Sequence, residues 1–314
     1  MFKPDLMTLP KLLVFQHAIN RQTIGFLEDA VSPALAAKPG DTPMTVAPFP
    51  SVAQLNGVAA TPDALAALAF AGHAHFTAMQ VRDGHVRGLD LHLARLRDAS
   101  STLFGQALPD DRIRTLLRAA LDRAPPALSL TATVHATTGE FVAPRDDETL
   151  DVLVRTAAPS SGPAGPLDLA LFEHERVLPD IKHVGEVAKT HFLRRAIAQG
   201  FDDAAFVDRH GRISEGSIWN LAFWTGDAVV WPVAGMLGGV TMSILRRQLA
   251  RMGVAQHDRE LAPADLPSMA GAVVMNSWTP GIAVRRFGTA TLPDSTSFVA
   301  LLHRAYEQEP PAAP

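Results

Sequence analysis

The sequence contains no cysteine among its 314 residues. Disulfides, thiolate metal sites and cysteine nucleophiles are therefore excluded. Lysine is scarce, with five lysines beside 23 arginines, and Tyr306 is the single tyrosine. No apolar run approaches the roughly 20 residues of a membrane-spanning helix, since the best early stretch is 12-LLVF-15. These absences predict a soluble protein that does not act at a membrane, and a chain without cysteine is typical of the reducing cytoplasm.

The rest of the composition predicts a globular protein that acts on small molecules. Hydrophobic residues make up 47% of the chain, which is enough for the cores of two ordinary domains. The formal net charge of −4 and the isoelectric point near 6.3 give no basic field for nucleic acid or anionic lipid. We therefore expect no nucleic-acid partner.

Proline-rich segments divide the chain. Residues 1–51 read as an N-terminal extension with one amphipathic helix around 11–30, and 158-APSSGPAGP-166 reads as an interdomain linker. The tail, 308–314, is predicted to be disordered because it is rich in proline. Between these segments we expect a small α+β domain at 52–157 and a larger ligand-binding domain at 167–307.

Periodicity predicts alternating helices and strands in both domains. In the first, it predicts a strand with a turn, a helix, a hairpin turning at Asp83-Gly84, two helices and two strands, at 54–60, 62–72, 75–93, 92–105, 110–124, 128–136 and 149–157. In the second, it predicts strand 167–177, helix 186–200, several short strands, helix 241–253 and strand character in 271–288. The fold class is α/β (α+β), with a cleft between two domains.

The stretch 180-DIKHVGEVAK-189 holds the two lysines that follow residue 38. Lys182 comes directly after an extended segment, at an element end where catalytic groups concentrate. A surface charge is the alternative reading of Lys182. Lys189 lies in a helical pattern, and we expect it on the exposed helix surface.

Three further features of the second domain suit a charged ligand. In 211-GRISEGSIWN-220, the carboxylate of Glu215 lies among small and apolar neighbours and needs a cationic partner, which a protonated ring nitrogen of a ligand can supply. In 237-LGGVTMSIL-245, two glycines and a threonine precede a helix, an arrangement that suits phosphate. Ser277, in 275-MNS-277, adds a hydroxyl. An amine, a carboxylate and a phosphate cup are together what pyridoxal 5'-phosphate requires.

The chain from about 52 to 290 resembles the fold-type IV, class IV aminotransferases, which include branched-chain aminotransferases, D-amino-acid transaminases and aminodeoxychorismate lyases. The resemblance is carried by 180-DIKH-183 and by 199-QGFDDAAFVDRHGRISEGSIWNLAFW-224, together with the interval of 33 residues between Lys182 and Glu215. It implies a two-domain fold with the smaller domain first, a larger barrel-like second domain, and pyridoxal phosphate in the cleft between them.

The resemblance also implies roles for residues. Lys182 is the Schiff-base lysine and proton shuttle, and Glu215 holds the pyridine nitrogen. The phosphate turn 237-LGGVTM-242 contributes Gly239, Val240 and Thr241, while Ser277 adds a hydroxyl contact. In the first domain, 92-HLARL-96 is similar to the family's HxxRL, so that Arg95 reaches the phosphate. The segment 183-HVGEV-187 departs from the family, because it lacks the tyrosine or asparagine that relatives often have there.

Three residues are candidates for substrate contact, namely His75, Arg176 and Trp278. His75 belongs to 73-HAH-75, where the two histidines share a strand face. Because no third ligand stands at a suitable spacing, we predict no metal site. The arginines of 245-LRRQLARMG-253 read as a solvated helix face.

The expected activity is amino-group transfer between an amino donor and a 2-keto acid through Lys182. Two alternatives stay open, a lyase that eliminates pyruvate from an aminated chorismate-like substrate, and a non-catalytic protein that keeps the fold and the cofactor. The segments 181-IKH-183, 219-WNLAFW-224 and 276-NS-277 are more similar to the lyase-like members. The resemblance further implies a homodimer. Donor, acceptor and stereochemical preference do not follow from the sequence.

Overall fold

The computed structural model describes residues 49–314 other than 70, 71, 139, 144 and 146. Val52–Pro314 form one compact unit. The predicted helix around 11–30 lies outside the described residues, as does nearly all of the predicted extension 1–51. The last residues of the helix predicted at 62–72 include 70 and 71, which are also outside them.

The first sheet has seven strands in the order β16-β4-β3-β5-β6-β1-β2. Their bounds are β1 (Ala53–Leu55), β2 (Val58–Ala59), β3 (Ala74–Arg82), β4 (His85–Arg87), β5 (Leu128–Ala136), β6 (Leu150–Ala157) and β16 (Pro311–Ala312). Between them come α1 (Pro62–Ala66), a 3₁₀ turn (Ala67–Ala69), α2 (Leu89–Phe104) and α3 (Asp110–Leu121). Helices α2 and α3 cover one face of the sheet with buried apolar side chains, among them Leu93, Leu96, Ile113, Leu116 and Leu117.

The second sheet has nine strands, eight of them in the order β12-β11-β10-β13-β14-β7-β8-β9, with one more beside β14. The bounds are β7 (Leu167–Glu173), β8 (Asp203–Val207), β9 (Ile213–Gly216), β10 (Asn220–Trp224), β11 (Ala228–Pro232), β12 (Ala255–Arg259), β13 (Gly271–Asn276), β14 (Thr279–Phe287) and β15 (Ala290–Thr291). Its helices are α4 (Val187–Ala198), α5 (Val240–Arg251) and α6 (Thr296–Glu307), with a 3₁₀ turn at Pro263–Ser268.

The second sheet curls around its own core. The Gly216 amide donates to the Trp219 carbonyl, so the sheet's end at β9 comes back close to β10. Trp219, Phe223 and Phe287 are fully buried inside this curl. On the outer face, α5 and α6 pack over a second cluster that contains Trp231 and Phe298. This enclosure makes the part of the chain after the linker barrel-like.

The segment that carries Lys182 joins the two sheets. Strand β4 pairs only with the last residues of β3, which leaves the edge of the first half of β3 open. The Phe76 amide donates to the Lys182 carbonyl at 2.8 Å, and the Val184 amide donates to the Ala74 carbonyl at 2.9 Å. Backbone pairing of this kind fixes both the position and the facing of successive side chains. Lys182 is therefore held on the first sheet although it belongs to the second half of the chain.

The prediction of a disordered tail at 308–314 is wrong. Strand β16 pairs antiparallel with β4, and Glu309 is buried. Its carboxylate accepts hydrogen bonds from Arg247 and Gln248 of α5. Arg247 also donates to Asp90 at the start of α2, so it belongs to an ion network and not to a solvated face. The prolines of the tail are compatible with β16 because it lies at the edge of the sheet.

The predicted α/β (α+β) class is confirmed, with an antiparallel sheet built from the chain before the linker and completed by β16, and a curled mixed sheet after the linker. The domain boundaries at 157/158 and 166/167 stay predictions. None of the helices in the described part of the chain has the length and hydropathy of a membrane span.

Candidate active site

The Lys182 side chain lies on the face of the first sheet opposite to α2. Alternate residues of a strand face opposite sides, and in β3 the side chains of His75, Thr77 and Met79 are buried under α2 and α3. Phe76 faces the other way, and the Lys182 Nζ lies 4.8 Å from the centre of its ring. The lysine amine therefore packs against the face of an aromatic ring.

The surroundings of Lys182 disfavour its charged form. Burial lowers the pKa of its amine to about 7, and the positive charges of Arg95, Arg176 and Lys189 act in the same direction, while Glu215 opposes them. Roughly half of the amines are then unprotonated at neutral pH, and an unprotonated amine is the nucleophilic form. This is the state that the predicted role requires.

The predicted phosphate turn is built on the N-terminus of α5. The first-turn amides of a helix have no partner within the helix, so those of Val240 and Thr241 suit an anion. The Thr241 hydroxyl donates to the Asn276 carbonyl at 2.8 Å, which ties α5 to the end of β13. The Asn220 amide group donates to the Leu237 carbonyl at 2.6 Å and so connects the turn to the start of β10. A Cβ on Gly239 would overlap the Asn220 side chain, so the turn requires a glycine there.

Arg95 reaches this turn from the first sheet. Its Nη2 donates to the Gly238 carbonyl at 2.7 Å, across 143 residues of sequence. Among the described residues, no carboxylate pairs with it. Burial, with a contribution from nearby Arg176, lowers the pKa of Arg95 to about 10. A partly buried cation whose hydrogen bond within the described residues goes to a neutral carbonyl is suited to receive an anion.

Ser277 and Trp278 lie beside the phosphate turn and line a cavity of about 420 Å³. Ser277 directly follows Asn276, whose carbonyl accepts the Thr241 hydroxyl. The Trp278 ring packs edge-on against Trp219 at 5.7 Å. The other residues that line the cavity come from the hairpin of β3 and β4 and from the C-terminal part of the chain, namely Gln80, Arg82, Asp83, His85, Arg87, Thr279, Tyr306 and Pro311. Substrate contact by Trp278 stays a prediction.

Glu215 has cationic partners within the chain. It is 4% exposed, and its Oε1 lies 2.8 Å from the Lys189 Nζ and 3.8 Å from Arg176. The expectation that Lys189 is exposed is wrong, because only 5% of that residue is accessible. The helical pattern did not show which face of α4 turns toward β8 and β9. Both cations approach Oε1 most closely, and no hydrogen bond to Oε2 of Glu215 occurs within the described part of the chain.

Arg176 is not placed to contact a substrate carboxylate. Only 4% of its side chain is exposed, and its Nη1 lies 3.0 Å from Glu186. Its Nη2 donates to the Ile181 carbonyl at 2.5 Å. The guanidinium thus supports the backbone immediately before Lys182, and the prediction that it binds substrate is wrong because its charge is already compensated by carboxylates of the chain.

His75 lies on the wrong face of β3 for the predicted substrate contact. Its side chain is fully buried, and its Nε2 is 2.8 Å from the Ser100 hydroxyl of α2. Strand alternation explains the error, because the neighbour Phe76 is the residue that faces Lys182. His73 packs edge-on against Phe104 on the same side as His75. No cluster of three metal-binding side chains occurs in the described residues.

Several residues of the site were missed by sequence reasoning, namely Phe76, Lys189 and Asn220. For Lys189 a signal existed, since the scarcity of lysine that singled out Lys182 applies equally to it. Asp203 was missed as well. It is fully buried and accepts hydrogen bonds from Ser217 and Trp219, which fixes the turn after Glu215. Burial raises the pKa of Asp203 to about 6.

The residues fit the cofactor that the sequence predicts. A desolvated amine, a buried carboxylate, and an anion cup with an arginine that pairs with no carboxylate of the described residues lie near one another, since the charges of Arg95 and Glu215 both act on the Lys182 amine. The glycine in the cup is required by its contact with Asn220. These are the functional groups that a pyridine ring with an aldehyde and a phosphate would need.

Comparison with solved structures supports the same fold. An aminotransferase from Brucella abortus, solved with the cofactor PLP, superposes with a TM-score of 0.69 at 21% identity, covering 77% of this chain and 90% of that one. The branched-chain amino acid aminotransferase of Escherichia coli superposes with a TM-score of 0.71 at 17% identity, covering 81% of this chain and 92% of that one. A structure described as a putative 4-amino-4-deoxychorismate lyase from Legionella pneumophila superposes with a TM-score of 0.68 at 18% identity, covering 76% of this chain and 92% of that one.

Sequence comparison gives the family. No curated protein sequence matches the chain. The pattern of the family described as amino-transferase class IV matches residues 74–287, which include Arg95, Lys182, Glu215 and the phosphate turn. This match spans more than half of the chain, and the chain therefore belongs to the class IV aminotransferase family.

Proposed function

We propose that this protein is a pyridoxal-phosphate-dependent aminotransferase, which moves an amino group between an amino donor and a 2-keto acid. The observation that carries the proposal is the Lys182 amine, which rests on Phe76 with a pKa of about 7 beside an anion cup and a buried carboxylate. The family match supports a cofactor-dependent enzyme of class IV. It does not define donor or acceptor.

Each residue of the site has a defined task in this proposal. Arg95, with the amides and hydroxyl at the start of α5, binds the phosphate. The carboxylate of Glu215 would pair with the ring nitrogen and favour its protonated form. Bound pyridoxal phosphate withdraws electrons from the substrate's α-carbon, which no side chain can do.

Lys182 has two tasks. Its unprotonated amine would hold the cofactor by the aldehyde, and once displaced by a substrate amine the same Nζ would take up the α-proton and carry it to the carbon of the former aldehyde. A base with a pKa near the working pH is the most effective for such a transfer. The Phe76 ring keeps water away from one side of the amine. The same amine is therefore suited to binding and to proton transfer.

The test is the absorption spectrum of the protein after incubation with pyridoxal phosphate, recorded beside Lys182→Ala. We expect a visible band of the lysine-bound cofactor in the parent protein and none in the variant. Reduction with borohydride followed by peptide mass spectrometry should place the cofactor on Lys182. A cofactor fixed to Lys189, or no band in either protein, would refute the assignment.

A lyase that releases pyruvate is the second candidate. It is favoured by the segments 181-IKH-183, 219-WNLAFW-224 and 276-NS-277, which resemble the lyase-like members of the family. Release of pyruvate from an aminated chorismate-like substrate without a keto-acid acceptor would establish this candidate. Conversion of the bound cofactor to its amine form by an amino donor would establish transfer. Full cofactor occupancy without turnover would instead indicate a non-catalytic cofactor-binding protein.

We further propose a cytoplasmic homodimer. Four large apolar side chains within eleven residues around Lys182 are exposed, namely Val177, Leu178, Val184 and Val187. Burial by a second copy would remove this apolar surface from water beside the active site. Sedimentation of the holoprotein should give twice the chain mass. A monomer with full activity would contradict the proposal.

A further inference from the structure

Lys189 is buried where a lysine is rarely found. It lies in the first turn of α4, its ammonium is 2.8 Å from the Glu215 Oε1, and its Nζ is 5.9 Å from the ring centre of Phe206. A lysine is almost never fully buried without a partner, because desolvation of its charge is costly. The ion pair with Glu215 compensates that cost.

The ion pair belongs to a cluster of four charged residues, which are Lys189, Arg176, Glu186 and Glu215. Arg176 lies between Glu186 at 3.0 Å and Glu215 at 3.8 Å. The cluster thus contains two cations and two carboxylates, and its formal charges cancel. His183 also approaches Glu186, at 3.1 Å. His174 lies close enough to Lys189 for its pKa to be lowered, mainly by burial and then by that lysine.

The cluster approaches Glu215 most closely at one oxygen. The shortest contact of each cation is to Oε1, and no side chain or backbone amide in the part of the chain that the structure describes donates a hydrogen bond to Oε2. A short contact at one oxygen, inside a buried site, restricts where the carboxylate can move and therefore limits the directions that the second oxygen can take. Without Lys189, the remaining cation is 3.8 Å away and shared with Glu186.

We propose that Lys189 is a positioning residue of the cofactor site, which holds Glu215 through Oε1 so that Oε2 is presented to a cationic ring of the ligand. The assignment of that ligand rests on the proposed function. Lys189 also acts on Lys182 through its charge, and this second effect exists without any cofactor. The groups that face Lys182 are Arg95 from α2, Arg176 from the segment after β7, Lys189 from α4 and Glu215 from β9.

The sign of the effect on Lys182 follows from these charges. Lys189 lowers the pKa of Lys182, and it offsets the opposing effect of Glu215. Removal of the Lys189 charge should therefore raise the pKa of Lys182, by about one unit for a charge at this range. At pH 7, the unprotonated fraction of Lys182 would fall about fivefold.

The experiment measures the reactivity of Lys182 in protein freed of cofactor. The rate of Lys182 acylation by a water-soluble amine-reactive ester is followed by peptide mass spectrometry from about pH 6 to about pH 9.5. The variants are Lys189→Met, Lys189→Arg and, as a matched control, Arg194→Met, which removes an exposed positive charge from the same helix. We expect a higher midpoint in Lys189→Met, and the parent midpoint in Lys189→Arg and Arg194→Met.

The measured midpoints of Lys182 acylation support or refute the role of Lys189. An unchanged midpoint in Lys189→Met with a native circular dichroism spectrum would overturn the proposal, and so would an equal shift in Arg194→Met. If Lys189→Met does not fold, Lys189→Gln keeps a hydrogen-bond donor for Glu215 without the charge, and the same upward shift is expected. If the parent fails to bind pyridoxal phosphate but the midpoint still shifts, the proposed function fails and the electrostatic role of Lys189 stands.

The cofactor gives a second readout for the positioning role. We expect Lys189→Met to bind pyridoxal phosphate about tenfold more weakly, a change of one order of magnitude in the dissociation constant, and Lys189→Arg to restore most of the affinity. Equal affinities in the parent and in folded Lys189→Met would overturn the positioning role.

Discussion

Replacement of Gly239 by alanine tests the construction of the phosphate cup. Gly239 has φ −64° and ψ 142°, a conformation that alanine adopts without strain. The added Cβ would nevertheless overlap the Asn220 Oδ1 and lie 3.0 Å from its Cγ. Asn220 cannot withdraw freely, because its amide group donates to the Leu237 carbonyl at 2.6 Å. The variant must therefore displace either the turn or this hydrogen bond.

The size of the effect follows from overpacking. Insertion of a methyl group into a tightly packed site costs about 1–3 kcal/mol. If the turn moves to relieve the overlap, the amides of Val240 and Thr241 move with it, and the loss falls on phosphate binding. Since 1.4 kcal/mol corresponds to a factor of ten, we expect the affinity for pyridoxal phosphate to fall roughly 5- to 150-fold.

The assay compares pyridoxal phosphate with pyridoxal, which lacks the phosphate. Gly239→Ala should weaken binding of the first much more than binding of the second. Gly238→Ala is the matched control, because a Cβ there meets nothing within 4 Å. Equal affinities in the parent and in Gly239→Ala would refute the reasoning. An equal loss in both variants would refute it as well, because the effect would then not come from the contact with Asn220.

Three further predictions concern titration and stability. Because the pKa of Lys182 is about 7, the rate at which the protein binds the cofactor should rise about tenfold from about pH 6 to about pH 8. A rate that does not change with pH in stopped-flow measurements would contradict the assignment. The pKa of Asp203 is raised to about 6, so the native state binds more protons than the unfolded state between the two pKa values, and its contribution to stability falls as pH rises through this window. That loss is about 3 kcal/mol, and urea unfolding of Asp203→Asn should lack it. Glu309→Ala should lower the free energy of unfolding by roughly 3 kcal/mol, because Arg247 and Gln248 lose their buried partner. The exposed control Glu307→Ala should change little, and equal losses in the two variants would exclude this account of the tail.

Local sequence patterns were sufficient for most helices and strands. The strand predicted at 128–136 coincides with β5, and the hairpin at Asp83-Gly84 connects β3 with β4. Helices α2, α4 and α5 begin and end within a few residues of their predictions. Apolar periodicity and glycine turns are local properties, so they can be read from neighbouring residues. The tail failed because its partners β4 and α5 are remote in sequence.

The parts of the site differ in the same way. The glycine turn before α5 could be read directly, because a helix N-terminus is a local structure. The environment of Lys182 could not, since Phe76 reaches it from a strand about a hundred residues earlier. For His75 and Phe76, sequence alone left open which of two adjacent side chains faces the cleft.

The sequence by itself determined the element pattern, the family resemblance and the chemical types of the candidate residues, because these depend on residue identity and short spacings. Only the tertiary structure decided that Lys189 pairs with Glu215, that Arg176 is held by carboxylates, and that His75 turns away from the cleft. These outcomes depend on which faces of separate elements meet. A charge buried between such elements selects its partner by distance in space, and that distance is not encoded in any local pattern.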